Sequence, residues 1–253
     1  MNKLAIKRGE TTIGSWITLG HPAIAEILAS SGFDWLAVDL EHSSITIREA
    51  EDLIRVIDLK GIAPLVRLSS NNSEQIKRVM DAGAHGVIVP MVKTVEDVRD
   101  AVSAVRYPPS GGRSIGLARA QGYGSQFAKY LEWESNNSLV IVQIEHVEAV
   151  NNLEEIFQVE GVSGYIVGPY DLSGSIGQPG KFSNPEFLEL MERIKSVAAD
   201  HDMPGGYHIV EPDMEELRRC VSEGHEFIAF SLDIRMLDVC AKRALKIAKE
   251  NMP

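Results

Sequence analysis

Five stretches of the chain share one plan: a glycine, a short gap, then an apolar run. They are "SSGFDWLAVDL", "LKGIAPLVRL", "DAGAHGVIVPM", "VEGVSGYIVGPY" and "SEGHEFIAFSL", with Gly32, Gly61, Gly83, Gly161 and Gly224 at the punctuating position. A glycine just past a helix end takes the left-handed conformation cheaply, so each reads as a helix stop. The runs that follow are β-branched and nearly continuous, as expected of parallel strands covered on both faces. Between them the apolar positions recur at helical spacing. Ala50, Leu53, Ile54 and Ile57 share one face, as do Ile76, Val79 and Met80, then Val95, Val98, Val102 and Val105, then Met214, Leu217 and Val221. Acidic residues open several of these helices, which suits the helix dipole.

The pattern predicts eight strands, at about 12–20, 35–41, 62–68, 86–92, 139–145, 164–170, 204–209 and 227–233. Eight strands alternating with helices over 253 residues predict a (β/α)₈ TIM barrel, one domain spanning 1–253. A doubly wound open sheet is the competing architecture. It would normally carry a glycine-rich phosphate turn after its first strand, where this chain reads "LGHPAIAE". No linker, low-complexity segment or second domain is apparent. The stretch from Tyr107 to Ser138 is long for a connection. It reads as a functional loop on the catalytic side of the barrel, with Arg113 and Arg119 as polar candidates.

Composition narrows the partners. The chain is 44% hydrophobic, enough for a large core, and carries a net charge of −11 with a pI of about 5.1. An acidic surface repels phosphate backbones, so nucleic acid is not expected. No apolar stretch suits a signal peptide or a membrane span. Cys220 and Cys240 have no metal-type spacing, and both read as buried reduced thiols of a cytoplasmic protein.

Chemistry in such a barrel sits at the C-terminal ends of the strands. There the chain places Asp39, Glu41 and His42, then Arg67, then Pro90, Met91 and Lys93, then Gln143 and Glu145, then Gly168 and Asp171, then His208, then Asp233. Ionisable groups at the end of an apolar run are costly to bury, so "DLEH" reads as a strand leaving the core and entering a site. Glu145 and Asp171 on neighbouring strands could share a hard divalent cation that keeps waters or substrate as its remaining ligands. Taken singly, either could instead cap a helix. His42 suits general-base work near neutrality, or caps the next helix. Arg67 offers paired donors to an oxyanion, or forms a structural salt bridge. Asp81 reads most simply as a helix-end surface acid. Lys93 raises Schiff-base chemistry, although its place before Thr94 and a helix suits a solvated lysine.

The ordered set "DLEH", "VRL", "DAGA", "VPMV", "GGRSIG", "VQIE" and "GPYDLS" resembles the HpcH/HpaI family of class II pyruvate aldolases, from about residue 12 to 245. The resemblance implies a metal-dependent carbon–carbon lyase that cleaves or forms 4-hydroxy-2-oxo acids, with pyruvate and an aldehyde as partners. It implies a divalent ion, Mg²⁺ or Mn²⁺ (or Co²⁺ or Zn²⁺), held by Glu145 and Asp171. His42 and Arg67 fall on the family's histidine and arginine, Asp39 on the acid of its second motif, and Asp81 on the acid that supports the histidine. Gln143, Gly168, Pro169 and Tyr170 match positions around the bound oxo acid. The family also implies a homo-oligomer, a hexamer built as a dimer of trimers or a trimer of dimers, with the last helix exchanged. The tail "MLDVCAKRALKIAKE" offers Leu237, Cys240, Ala244, Leu245 and Ala248 for such a contact, or for its own barrel.

Four departures surround the aldehyde side: His146 after Glu145, Tyr170 before Asp171, the segment "GGYHIVEPD", and Leu232 in "FSLD". His208, Tyr170 and the loop from Gly111 to Gln126, with Arg113 and Arg119, suggest a polar aldehyde pocket and a 2-keto-3-deoxy sugar acid as substrate. The competing functions are a malyl-CoA or citramalyl-CoA lyase of the same superfamily, which would need a cationic groove, and a non-catalytic barrel that binds oxo acids.

Overall fold

The computed structural model describes residue 4 and residues 6–251. Eight parallel strands, each hydrogen-bonded to the next and the last to the first, close into a barrel. They are β1 (Thr12–Ile17), β2 (Trp35–Asp39), β3 (Ala63–Arg67), β4 (Gly86–Val89), β5 (Leu139–Ile144), β6 (Gly164–Val167), β7 (Gly205–Ile209) and β8 (Phe227–Leu232). The first helices are α1 (Pro22–Ala29), α2 (Ile47–Leu59), α3 (Ser73–Ala82), α4 (Val95–Val105) and α5 (Phe127–Asn137). They continue with α6 (Val147–Asn151), α7 (Leu153–Phe157), α8 (Pro169–Ser175), α9 (Pro185–Asp200), α10 (Met214–Ser222) and α11 (Asp233–Glu250). The expected eight-stranded barrel is therefore present.

Local chemistry explains the punctuation. Thr46 and Thr94 open α2 and α4 with reciprocal capping boxes to Glu49 and Asp97. Gly83 ends α3 with φ of 104°, a conformation that costs other residues a Cβ clash. The other four glycines of the repeated unit are left-handed too.

Side chains alternate across a strand, so each strand sends one series into the barrel and one toward the helices. The helix-facing series, including Leu36, Val38, Val66, Val87, Val89, Val140 and Val142, packs against α2, α3 and α4 in the larger core. The inward series builds a second core from Trp16, Trp35, Ala37, Ala63, Leu65, Ile88, Leu139, Ile141, Ile166, Phe227 and Ala229. Its bulk lies at one end, where Trp35 stacks on Phe227 at 4.1 Å and Trp16 meets Trp35 edge-on at 6.3 Å.

Three expectations need correction. The stretch from Tyr107 to Ser138 follows α4 and precedes β5, so it joins the ends of the barrel remote from the strand C-termini. There Arg113 is buried over the Tyr107 ring, at 3.9 Å from its centroid, and Arg119 pairs with Asp58 at 2.6 Å. Neither lines the catalytic end. Cys220 is buried as expected, but Cys240 is exposed on α11. Among the described residues, no helix is long and apolar enough to cross a membrane.

The inward core leaves no room at Gly14, where an added Cβ would lie 2.0 Å from the Trp35 ring. Gly14→Ala is expected to lower unfolding free energy by about 1–3 kcal/mol through overpacking. Gly174→Ala, in α8 with open space around it, should be neutral or stabilising. Urea unfolding of the two variants checks the contrast.

Candidate active site

The inward series continues past the apolar core and turns polar. After Ala37 comes Asp39, after Leu65 comes Arg67, after Ile141 come Gln143 and Glu145, and after Gly206 comes His208. Strand periodicity thus delivers these five residues to one end of the barrel. With Trp16, Thr18, His42, Gly168, Pro169, Tyr170, Asp171 and Leu232, all but Glu145 line a cavity of about 310 Å³. Glu145 lies just beneath its floor, under Gly168, where an added Cβ would stand 2.6 Å from Glu145 Oε2.

Asp39 and Arg67 are register partners on β2 and β3. The Arg67 guanidinium donates from Nε to Asp39 Oδ1 at 2.9 Å and from Nη2 to Oδ2 at 2.6 Å. It also lies over the Trp16 ring, 4.3 Å from the centroid. Bidentate pairing and the ring beneath fix its plane. Among the described residues no acceptor meets Arg67 Nη1, which leaves that nitrogen to the cavity. Burial raises the Asp39 carboxyl, but hydrogen bonds and charge from Arg67 outweigh it and hold the pKa below the usual value. Asp39 Oδ1 also accepts from the backbone of Glu41 at 3.0 Å and His42 at 3.3 Å, which shapes the turn that presents His42. The His42 side chain is 61% exposed, with Nε2 at 3.7 Å from Glu41 Oε2.

A second group of carboxylates faces this pair. Glu145 accepts from the Met91 backbone at 2.7 Å and from Gln143. Met91 has φ of 52°, strained for its residue type, and that conformation aims its N–H at Glu145. Burial pushes Glu145 up to about 7, with Glu41 and Asp171 adding to the rise against the two hydrogen bonds. Burial likewise pushes Glu41 up to about 7, opposed by Arg67 and assisted by Asp39 and Asp171. Asp171 stands on the first turn of α8, after Gly168 and Pro169.

Glu41, Glu145 and Asp171 therefore crowd carboxylates together, and among the described residues Arg67 is the cationic side chain that answers them. Glu41 Oε2, 3.5 Å from Arg67 Nε, and Gln143 Oε1 are closed oxygens without a hydrogen-bond partner and add unmet acceptors. Among the described residues no three His, Cys, Asp or Glu side chains converge as an ion cage. The donor set nevertheless fits a hard divalent cation, which takes one or two carboxylates and keeps water or substrate in its other positions.

Several expected residues are placed elsewhere. Asp81 is on the last turn of α3, at the opposite end of the barrel from His42, so one chain does not bring them together. Asp81 faces Arg113 and Lys77, and burial raises its pKa against their charge. Lys93 is outside the cavity, 3.8 Å from Glu148, which removes the Schiff-base candidate. His146 caps α6 by accepting from the Glu148 backbone at 3.1 Å. Tyr170 is at the cavity mouth, edge-on to Phe182 at 5.1 Å. Sequence reading missed Trp16, Thr18 and the charge contribution of Glu41. Inward periodicity of "TIGSWIT" would have marked Trp16 and Thr18.

Known proteins resemble the chain over most of its length. The family model described as HpcH/HpaI aldolase/citrate lyase matches residues 12–238. A hydroxypyruvate/pyruvate aldolase of Sagittula stellata is 36% identical over 244 residues, covering 94% of each chain. A 2-keto-3-deoxy-L-rhamnonate aldolase of Klebsiella pneumoniae subsp. pneumoniae is 35% identical over 252 residues, covering 98% of this chain and 93% of its own. A solved HpcH/HpaI aldolase/citrate lyase family protein of Burkholderia cenocepacia superposes with a TM-score of 0.89 at 30% identity, covering 95% of each.

Removing one partner of a buried ion pair strands the other charge. Asp39→Asn should cost about 3 kcal/mol of stability by that argument, and the double variant Asp39→Asn/Arg67→Met less than the two single changes added together. Urea unfolding of the full cycle measures the coupling.

Proposed function

This chain belongs to the HpcH/HpaI aldolase/citrate lyase family and is a carbon–carbon lyase of the aldolase type, and we propose that it is a divalent-metal-dependent enzyme cleaving or forming a 4-hydroxy-2-oxo acid, a 2-keto-3-deoxy sugar acid in the natural case, with pyruvate and an aldehyde as the two halves. The observation that carries this reading is the clamped Arg67 sharing one cavity with Asp171, with Glu145 against Gly168 at its floor. One guanidinium nitrogen is free for an oxyanion, and two carboxylates lack a cationic side chain of their own.

A divalent ion held by Glu145 and Asp171 would polarise the substrate ketone as a Lewis acid. The chain's own groups supply the rest. Arg67 Nη1 binds the carboxylate end of the oxo acid and then the oxygen on which charge develops, a preorganised interaction of the kind worth several kcal/mol. His42, exposed and open to the cavity, takes the proton of the 4-hydroxyl. The C3–C4 bond then breaks, the aldehyde leaves, and its bonding electrons move toward the C2 oxygen as the enolate. A proton returned to C3 gives pyruvate. Gly168 and Pro169 keep the floor narrow, and the Trp16 ring shields Arg67 from below.

We also assign the protein to a homo-oligomer, a hexamer by family resemblance. Every residue of α11 from Cys240 to Glu250 is exposed in the single chain, including Leu245 at 56% and Ile247 at 50%. Ile115 and Leu117 on the 107–138 stretch stand open as well. Such apolar surface supports contacts between copies. The supporting role of Asp81 can reach a His42 only between two copies, since one chain holds them at opposite ends.

Pyruvate release from 4-hydroxy-2-oxo acids tests the reading. Turnover should be lost in EDTA and restored by Mg²⁺ or Mn²⁺, and full activity in EDTA would refute the metal assignment. At saturating metal, His42→Ala should lower kcat by about 10²–10⁴-fold. Light scattering should report a particle several times the 27.8 kDa of one chain, and a monomer at micromolar concentration would rule the assembly out.

A further inference from the structure

Of the two imidazoles lining the cavity, His42 and His208, the reaction above leaves His208 unused. It follows Gly206 in the inward series of β7 and is partly buried, with Val210, Leu232 and Ile234 as apolar neighbours on the cavity wall. Its ring stands edge-on to Trp16 at 5.5 Å and 67°, which fixes its orientation. Among the described residues neither ring nitrogen has a hydrogen-bond partner, and Nε2 is closed from solvent while Nδ1 is not.

These two facts settle the tautomer. A closed N–H without an acceptor costs more than a closed lone pair, so the proton belongs on Nδ1. Burial, with Arg67 adding to it and Asp39 opposing, pushes the imidazole down to about 3, so the ring is neutral across the physiological range. His208 therefore offers the cavity an uncharged donor beside Val210, Leu232 and Ile234. A second carboxylate, on the aldehyde half, would be poorly served there, because Arg67 beside it already holds Asp39 through Nε and Nη2 and its remaining Nη1 serves the oxo-acid end. An uncharged hydroxyl oxygen is the matching acceptor.

Resting on the aldolase reading, we propose that His208 determines specificity for the aldehyde half, its Nδ1–H donating to the hydroxyl next to the carbonyl of a 2-hydroxyaldehyde. The closing experiment compares kcat/KM for condensation of pyruvate with lactaldehyde and with propionaldehyde, which differ by that one hydroxyl. The wild type should favour lactaldehyde by about tenfold or more, the scale of one hydrogen bond made in a dry site. His208→Leu should erase most of that ratio. His208→Asn, whose amide nitrogen falls near the Nδ1 locus, should keep much of it. His208→Gln, which reaches toward the Nε2 locus, should lose it. Circular dichroism identifies any variant that fails to fold, and the Asn and Gln pair decides the matter if Leu is not tolerated. A ratio unchanged in His208→Leu or His208→Gln, with propionaldehyde still condensed, overturns the inference and leaves the aldolase reading standing. Failure of the wild type to condense either aldehyde overturns the aldolase reading and this inference with it.

Discussion

A column of rings inside the barrel sets the height and orientation of everything at its catalytic end. Phe227 stacks on Trp35, Trp35 meets Trp16 edge-on, and Trp16 supports both Arg67 and His208. A barrel interior must be filled by side chains, because an empty lumen forfeits dispersion contacts on every wall. Here three large rings do the filling, which obliges Gly14 to be small and lets Ala37, Ala63 and Ala229 complete the layers. The guanidinium rests on the top ring and is locked sideways by Asp39, so its free nitrogen has one direction left.

Above the column the balance of charge is unfavourable for the protein alone. Burial and mutual repulsion raise Glu41 and Glu145. A stable fold tolerates this at a site where a ligand completes the set, as perturbed carboxylates in a cleft generally indicate. Gly168 shows how closely the shape is drawn, since even a methyl group there would collide with Glu145. The strained Met91 serves the same carboxylate from the neighbouring strand. Strain, crowding and unmet acceptors thus gather where β4, β5 and β6 end.

The opposite end of the barrel is built differently. Tyr107, Ala120, Tyr130 and Trp133 form a small separate core, with Arg113 held among the rings. Arg119 ties this segment to α2 and α3 through Asp58 and the Ala82 carbonyl. These are contacts of a rigid platform rather than of a lid. They explain why a long, glycine-rich and arginine-rich stretch, which read as a catalytic loop, holds its polar groups away from the substrate cavity.

Periodicity and punctuation in the sequence determined the barrel. Eight apolar runs, glycine stops and amphipathic helices admit few other closed arrangements, and the strand ends carried Asp39, His42, Arg67, Gln143, Glu145 and Asp171 into view. The direction of each connection was also implicit, because a segment between a helix and the next strand returns to the far end of the barrel, but the composition of 107–138 masked it. Only the tertiary structure decided that Asp39 clamps Arg67, that Trp16 lies beneath it, and that Asp81 stands away from His42. It also decided that His208 has a closed nitrogen and an open one. Such facts depend on which residues meet across neighbouring strands and on what burial does to their charge, and neither register nor desolvation is written in the order of residues along one chain.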